Sequence, residues 1–252
     1  MAETSDSEQM TRRSRIALGA GLAALVVFPL LALGRALGLW EAPLILIGLA
    51  FLITVAGMIT ALIMGAKSLL QRGDRPWNDT NVRSALIAIA LGVVVAIPVI
   101  SFLHLGFTSP PIHDITTDTE NPPKFVSLLA ERRATNAPNS ADYDPEIAEQ
   151  QKAGYPELGP LDLPIPPDQA FRRALEAVDD MEWRLAAAVP EEGRIEAVDV
   201  TFWSGFIDDI VIRVSPRGVN ESRIDVRSLS RVGGGDVGKN AARIRDYLEQ
   251  LQ

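Results

Sequence analysis

Hydrophobic and polar positions follow two regimes along this chain. Up to residue 103 the apolar positions gather into three uncharged runs, Ile16–Gly34, Ala42–Ala66 and Ser84–Leu103, of 19, 25 and 20 residues. A helix needs about 20 apolar residues to cross the hydrocarbon core of a bilayer. A soluble helix would carry a polar stripe, and these runs carry none. The pattern therefore predicts three membrane-spanning helices within residues 16–104, at 16–34, 42–66 and 84–103. A cleaved signal peptide is the competing reading of the first run, which follows Arg12, Arg13 and Arg15. The apolar part is too long for that, and two further spans follow. His104, at the edge of the third run, reads as a solvated interfacial side chain, so the spans read as an anchor and not a pore.

Beyond residue 104 the period changes. The stretch 134–167 holds seven prolines (138, 145, 156, 160, 164, 166 and 167) and reads as a long irregular loop. Pro167 and Asp168 then open a helix with Phe171, Ala174, Leu175 and Val178 on one face. Four short alternating runs follow: Trp183–Ala188, Arg194–Trp203, Ile207–Val214 and Arg223–Val232, separated by "PEEG", Ser204-Gly205 and "PRGVN". Connections this short imply antiparallel neighbours. A last helix starts at Asp236, with Val237, Ala241, Ile244 and Leu248 on one face. The predicted architecture is three transmembrane α-helices followed by an α+β domain, an antiparallel sheet of about four strands with helices on one face.

Charge adds an orientation. Basic residues cluster in the arm 1–15 (Arg12, Arg13, Arg15) and in the loop after the second span (Lys67, Arg72, Arg75, Arg83). Positive charge is retained on the cytoplasmic side, so the arm is expected in the cytoplasm and residues 105–252 outside it. In a bacterium, which the Arg- and Ala-rich, Lys-poor composition favours, that means an inner-membrane protein with a periplasmic domain. The exported part carries 16 basic and 26 acidic residues, a net charge of −10. An acidic body on that side of the membrane argues against nucleic acid as a partner. The chain has no cysteine, hence no disulfide framework and no thiolate metal site.

"RVGGGDVGKN", Arg231–Asn240, spells both G-x-G-x-x-G and G-x-x-x-x-G-K. Both nucleotide patterns fail on context. Asn240 stands where a Walker loop has the metal-binding Ser or Thr, and a dinucleotide fold needs a βαβ unit for which too little chain remains. No nucleotide is expected. What survives is charge: Arg223, Arg227, Arg231, Lys239, Arg243 and Arg245 against Asp225 and Asp236 give residues 222–245 a net +4. Arg223, Asp225, Arg227, Leu229 and Arg231 alternate onto one sheet face. Such a cluster beside a helix start suits an anion, a lipid phosphate or a carboxylate. The competing reading is cross-strand pairing with Asp209 and Arg213 of the neighbouring strand.

"PPIHDITTDTENPPKF" followed by "RIDVRSLSRVGGGDVGKNAARIR" resembles the bacterial and plastid domain-of-unknown-function family 1499 over roughly residues 108–250. The first block carries the resemblance through Asp114, Thr117, Asp118, Asn121, Pro122, Pro123 and Phe125. The second carries it through Arg227, Ser228, Ser230, Arg231, Gly233, Asp236, Gly238, Asn240 and Arg243. Gly234-Gly235 departs from the family pattern. The resemblance implies a domain boundary and no reaction.

Candidate binding residues for an anionic small molecule, a lipid headgroup or an envelope protein are thus Arg227, Arg231, Arg243, Asn240, Asp114, Asp118 and Asn121. A pairing of Asp114 or Asp118 with Arg227, Arg231 or Arg243 would join the two blocks as a brace. No catalytic residue, metal site or cofactor is assigned: His113 stands alone in the exported part, and the pairs Asp179-Asp180 and Asp208-Asp209 point to opposite sides and read as solvated. "FWSGF" around Ser204 reads as a turn with exposed aromatics. The leading expectation is a membrane-anchored envelope protein that binds a ligand or scaffolds a partner. The alternatives are a hydrolase or transferase acting on envelope lipid or wall material, with Asp118 beside an Arg clamp, and an accessory subunit of a transport assembly.

Overall fold

The computed structural model describes residues 10–37, 39, 44–202 and 204–252. Two compact units divide the chain: residues up to His104 together with Phe202–Ser204, and Leu105–Thr201 with Gly205–Gln252. In the first unit the apolar runs form α1 (Arg12–Ala36), α2 (Leu44–Leu70) and α3 (Thr80–Thr108). All three are long and apolar enough to cross a membrane. They extend past the uncharged runs to take in Arg12, Arg13, Lys67 and Arg83, basic residues whose long side chains suit a helix end at a membrane boundary. The N-terminal arm is described only from Met10, and the first two residues of the second run, 42 and 43, lie outside the described residues. Small side chains let these helices approach: Ala17, Ala61 and Ala88 share a buried cluster, and a Cβ on Gly57 would come within 2.8 Å of the Ala20 carbonyl oxygen.

The second unit runs β1 (Asp114–Thr116), α4 (Leu128–Ala134), α5 (Ile147–Gly154), β2 (Leu161–Leu163), α6 (Pro167–Asp180), β3 (Arg184–Val189), β4 (Arg194–Val200), β5 (Ile207–Pro216), β6 (Ser222–Ser230) and α7 (Lys239–Gln250). The sheet is antiparallel throughout in the order β1-β6-β5-β4-β3, and β2 also pairs β6. β3 to β6 are the four alternating runs. The two additional strands, three residues each, are too short to show a period. They form because the second edge of β6 offers unpaired N–H and C=O groups, which β1 takes at Arg227–Leu229 and β2 at Ser222–Ile224.

The proline-rich stretch 134–167 is not wholly irregular. Helix α5 occupies the proline-free interval between Pro145 and Pro156, where Ala, Glu, Gln and Lys favour helix. Its buried Gln151 acts as a further strand beside β1, accepting the Thr116 N–H at 3.0 Å and donating to the Thr116 carbonyl at 2.6 Å.

One sheet face carries the main core. Phe171, Ala174 and Val178 of α6 and Ala241, Ile244 and Tyr247 of α7 cover Ile195, Ala197, Ile210, Ile212, Ile224 and Val226. The Tyr247 ring stacks on Trp183 at 5.3 Å, and its hydroxyl donates to the Ala174 carbonyl at 2.7 Å. The opposite face, on which the alternation places the charged residues of β6, is roofed by residues 117–146. Phe125 and Leu128 pack there on Val198, Val211 and Leu229. Glu196, fully buried on that face, accepts the backbone N–H groups of Val126, Ser127 and Leu128 at 2.9–3.0 Å. A β4 carboxylate thus satisfies the open donors at the start of α4 and pins the roof to the sheet.

Candidate functional site

Under the roof, Arg227 is 1% exposed. Its guanidinium forms a two-pronged pair with Asp114 of β1, Nε to Oδ1 at 2.9 Å and Nη2 to Oδ2 at 2.6 Å. The remaining donors reach the carbonyls of Pro123 (3.2 Å) and Ala141 (2.9 Å), and the Phe125 and Tyr143 rings lie 5.1 and 5.4 Å from the guanidinium carbon. The Tyr143 hydroxyl is pushed up to about 12, first by burial and then by the nearby Asp114 charge, with Arg227 opposing.

Arg231 leaves the end of β6 on the same side. Its Nε donates to Asp209 Oδ1 at 3.0 Å and its Nη2 to the same oxygen at 2.7 Å, while Nη2 also reaches Glu131 at 2.9 Å. Arg132 of α4 binds the other oxygen of Asp209 and the Asn139 carbonyl. Desolvation would lower the Arg231 pKa, but the Asp209 and Glu131 carboxylates outweigh it and hold it above the ordinary value. Toward the other end of β6, Arg213 joins Asp225 and Asp118, each at 2.8 Å, and donates to the Asn121 carbonyl at 2.8 Å.

Asn240 and Arg243 lie on the other face of the sheet, beneath α7. Asn240 is fully buried; its Oδ1 accepts the Ser228 hydroxyl at 2.7 Å, and its Nδ2 donates to Ser230 Oγ and the His113 carbonyl, each at 2.9 Å. Arg243 donates to Asp199 at 2.7 Å, to Asp208 at 2.6 Å and to Ser228 Oγ at 3.0 Å. Asp208 and Asp209 are therefore buried and paired, one on each face, and not solvated. The Asp209 pair fits the cross-strand reading, whereas Asp208 meets its cation, Arg243, only through α7.

The glycine loop places its own carboxylate where a phosphate would sit. Asp236 accepts the N–H of Gly238 at 2.8 Å and of Asn240 at 2.7 Å. Helix α7 starts at Lys239 and not at Asp236, since Val237 (φ 56°) and Gly238 (φ 78°) take the left-handed conformation. Burial raises the Asp236 pKa, and the two N–H bonds work against that rise. The donors of this helix start are occupied, so the arrangement is a capped corner.

The Asp114–Arg227 pair, the Asn240 hub and the capped corner tie both ends of one stretch into one body. A family model described as "Protein of unknown function (DUF1499)" matches that stretch, residues 114–251. The chain belongs to this family. No curated protein matches the chain. The DUF1499 match covers every element from β1 to α7, and the three apolar helices precede it.

The seven candidate residues do not converge. Asp114 meets Arg227, Asn240 meets Arg243, Asp118 and Asn121 meet Arg213, and Arg231 meets Asp209. The residues that sequence reasoning missed are Arg132, Asn139 and Glu196, which reach Asp209, Ser230 and Val126 across 77, 91 and 70 positions. No local spacing could have exposed them. Among the described residues no group of three or more His, Cys, Asp or Glu is arranged to hold a metal ion. A groove of about 390 Å³ beside α6, floored by Val178 and Trp183, includes none of the candidate residues.

Proposed function

We propose that this is an integral protein of a bacterial inner membrane, with residues 1–15 in the cytoplasm and residues 105–252 outside it. The exported domain works by docking an envelope partner. The distribution of basic residues supports the orientation. One observation carries the rest: Arg227, Arg231 and Arg243 are 1, 3 and 5% exposed, and their donors are spent on carboxylates and carbonyls of the same chain. A guanidinium that clamps an external anion has to present donors to it. These three arginines brace the body, and docking falls to the accessible members of the candidate set, Asn121 and the partly exposed Asp118 on the loop after β1.

A hydrolase or transferase reading needs Asp118 beside Arg231. Asp118 is bound instead to Arg213, whose cross-strand partner is Asp225. Arg231 lies six positions further along the chain from Asp225, roughly 20 Å at strand spacing.

The test uses the intact chain in membranes, with a photo-crosslinker at Glu120. Asn121→Ala is expected to abolish a partner crosslink at an unchanged thermal midpoint, whereas Arg231→Ala lowers the midpoint. A partner that survives the loop variant and is lost in a fully folded Arg231→Ala protein would return the site to the arginines.

A further inference from the structure

The fold treats the two edges of its sheet differently. The outer edge of β6 is paired by β1 and β2. At the other end of the strand order β3 pairs only β4, and among the described residues no backbone hydrogen bond reaches the outer edge of Arg184–Val189. An open edge is a template for another strand, and natural proteins usually guard it with lysine or proline. The β3 sequence, RLAAAV, has neither. Its one charge, Arg184, is turned onto Glu131 of α4 at 2.7 Å. Leu185 and Ala188 pair across the strand with Ala197 and Ile195 of the main core, so they stand on the α6 side of the sheet. There the groove beside α6 runs next to the edge, with Val178 and Trp183, 1 and 7% exposed, as its floor and Leu185, 45% exposed, as its lip.

One end of this groove is acidic. Glu176 and Asp179 line it, and Asp180 and Glu182 follow where α6 stops. The C-terminal end of a helix carries partial negative charge, so carboxylates there are unfavourable without a cation. Helix α6 has no basic residue in its last turn, and Arg172 of the groove pairs with Asp168 one turn earlier. Among the described residues none of the four carboxylates has an ion-pair partner. We propose that the β3 edge and the α6 groove bind an extended, basic segment of another protein by strand addition. Main-chain hydrogen bonds to β3 hold the segment, and one apolar side chain lies on Val178, Trp183 and Leu185. A lysine or arginine two positions along, on the same face of the added strand, meets Glu176 and Asp179. A second copy of the chain fits less well. The β3 register slips between Leu185 and Ala187, so a two-fold β3–β3 pairing centred on the strand would put a broken ladder at its middle. This surface lies at the opposite sheet edge from the loop after β1 and stands whether or not that loop docks a partner.

The probe is a fluorescent, end-capped peptide of alternating threonine and valine, with a lysine replacing the valine next after the central one. Its anisotropy is read on titration with the full-length protein in micelles. Saturable binding is expected. It should weaken at least about tenfold when the peptide lysine becomes glutamate, or when Glu176→Lys and Asp179→Lys are combined in the protein, because each removes a charge-assisted contact. The thermal midpoint of that protein variant should not fall, since cations suit a helix C-terminus. N-methylation of alternate peptide amides, made in both frames, should abolish binding in the frame that faces β3 and spare it in the other. No saturable binding, equal binding of the two methylated peptides, or binding indifferent to charge reversal overturns the proposal. A dimer that Leu185→Asp converts to monomer also overturns it, by giving the edge to a second copy.

Discussion

Asp199 and Asp208 are direct cross-strand partners in β4 and β5, and both carboxylates bind the guanidinium of Arg243, at 2.7 and 2.6 Å. Like charges directly opposite on neighbouring strands destabilise a sheet. Here a cation from α7 converts the repulsion into the lock between helix and hairpin. Removing one partner of a buried ion pair costs about 3–5 kcal/mol. Arg243→Ala should approach that loss, and Asp208→Asn in the same background should restore part of it. Thermal unfolding of the full chain in micelles reads both, and no recovery in the double variant would show that the two aspartates do not repel.

Arg227 provides a second test, of geometry more than charge. Lysine keeps the positive charge but loses the planar fork that meets both Asp114 oxygens and two carbonyls. Arg227→Lys is expected to lower stability by about 2–4 kcal/mol, nearly as much as Arg227→Met. Arg227→Met combined with Asp114→Leu should recover most of it, because no buried charge is then left unpaired. A lysine variant as stable as the parent would mean that the fork is dispensable.

The glycines of the corner are expected to separate. Gly238 has φ 78°, and a Cβ there would lie 2.9 Å from Ser109 Oγ; at Gly234 nothing lies within 4 Å. Gly238→Ala should cost about 1–2 kcal/mol for the left-handed conformation alone. Gly234→Ala should stay within about 0.5 kcal/mol of the parent, as open surface changes do. Equal midpoints for the two variants would contradict this corner geometry.

Two carboxylates should pull the pH dependence in opposite directions. For Glu131, burial raises the pKa, but hydrogen bonds from Arg184 and Arg231 outweigh it and bring it below the ordinary 4.5. Its contribution to stability is present above 4.5 and is lost as pH falls through the folded value. For Asp236, burial lifts the folded pKa above 3.8 against the N–H bonds of Asn240 and Gly238. Its contribution is fullest below 3.8 and is lost as pH rises through the folded value. Glu131→Gln should flatten the acid limb of the thermal midpoint between pH 3 and 6, and Asp236→Asn should steepen it. Parallel curves for the two variants would refute the assignment.

Particular elements show what was readable. The four long strands and the helices α6 and α7 announce themselves by period, since a half-buried element repeats apolar residues at 2 or 3.6 positions. Helix α5 is hidden because its prolines belong to its flanks, and the three-residue strands β1 and β2 have no period at all. At the candidate site, the alternation of Arg223, Asp225, Arg227 and Arg231 fixes which residues share a face. It is silent on whether that face is wet. Arg132 and Asn139 have no spacing relation to Arg231, so their part in the network could not be read.

The sequence alone determined the three apolar spans, the order of elements from α6 to α7, the family and the charge along β6, because each is a local or composition-level property. Tertiary structure decided that the charged face is roofed by residues 117–146, that Asp114 and Asp209 are its counter-charges, and that Asp208 and Arg243 pair on the other side of the sheet from Arg227. The physical reason is that burial of a polar side chain depends on what a distant segment lays over it. That segment is held by side-chain and backbone hydrogen bonds, which leave no periodic mark in the chain.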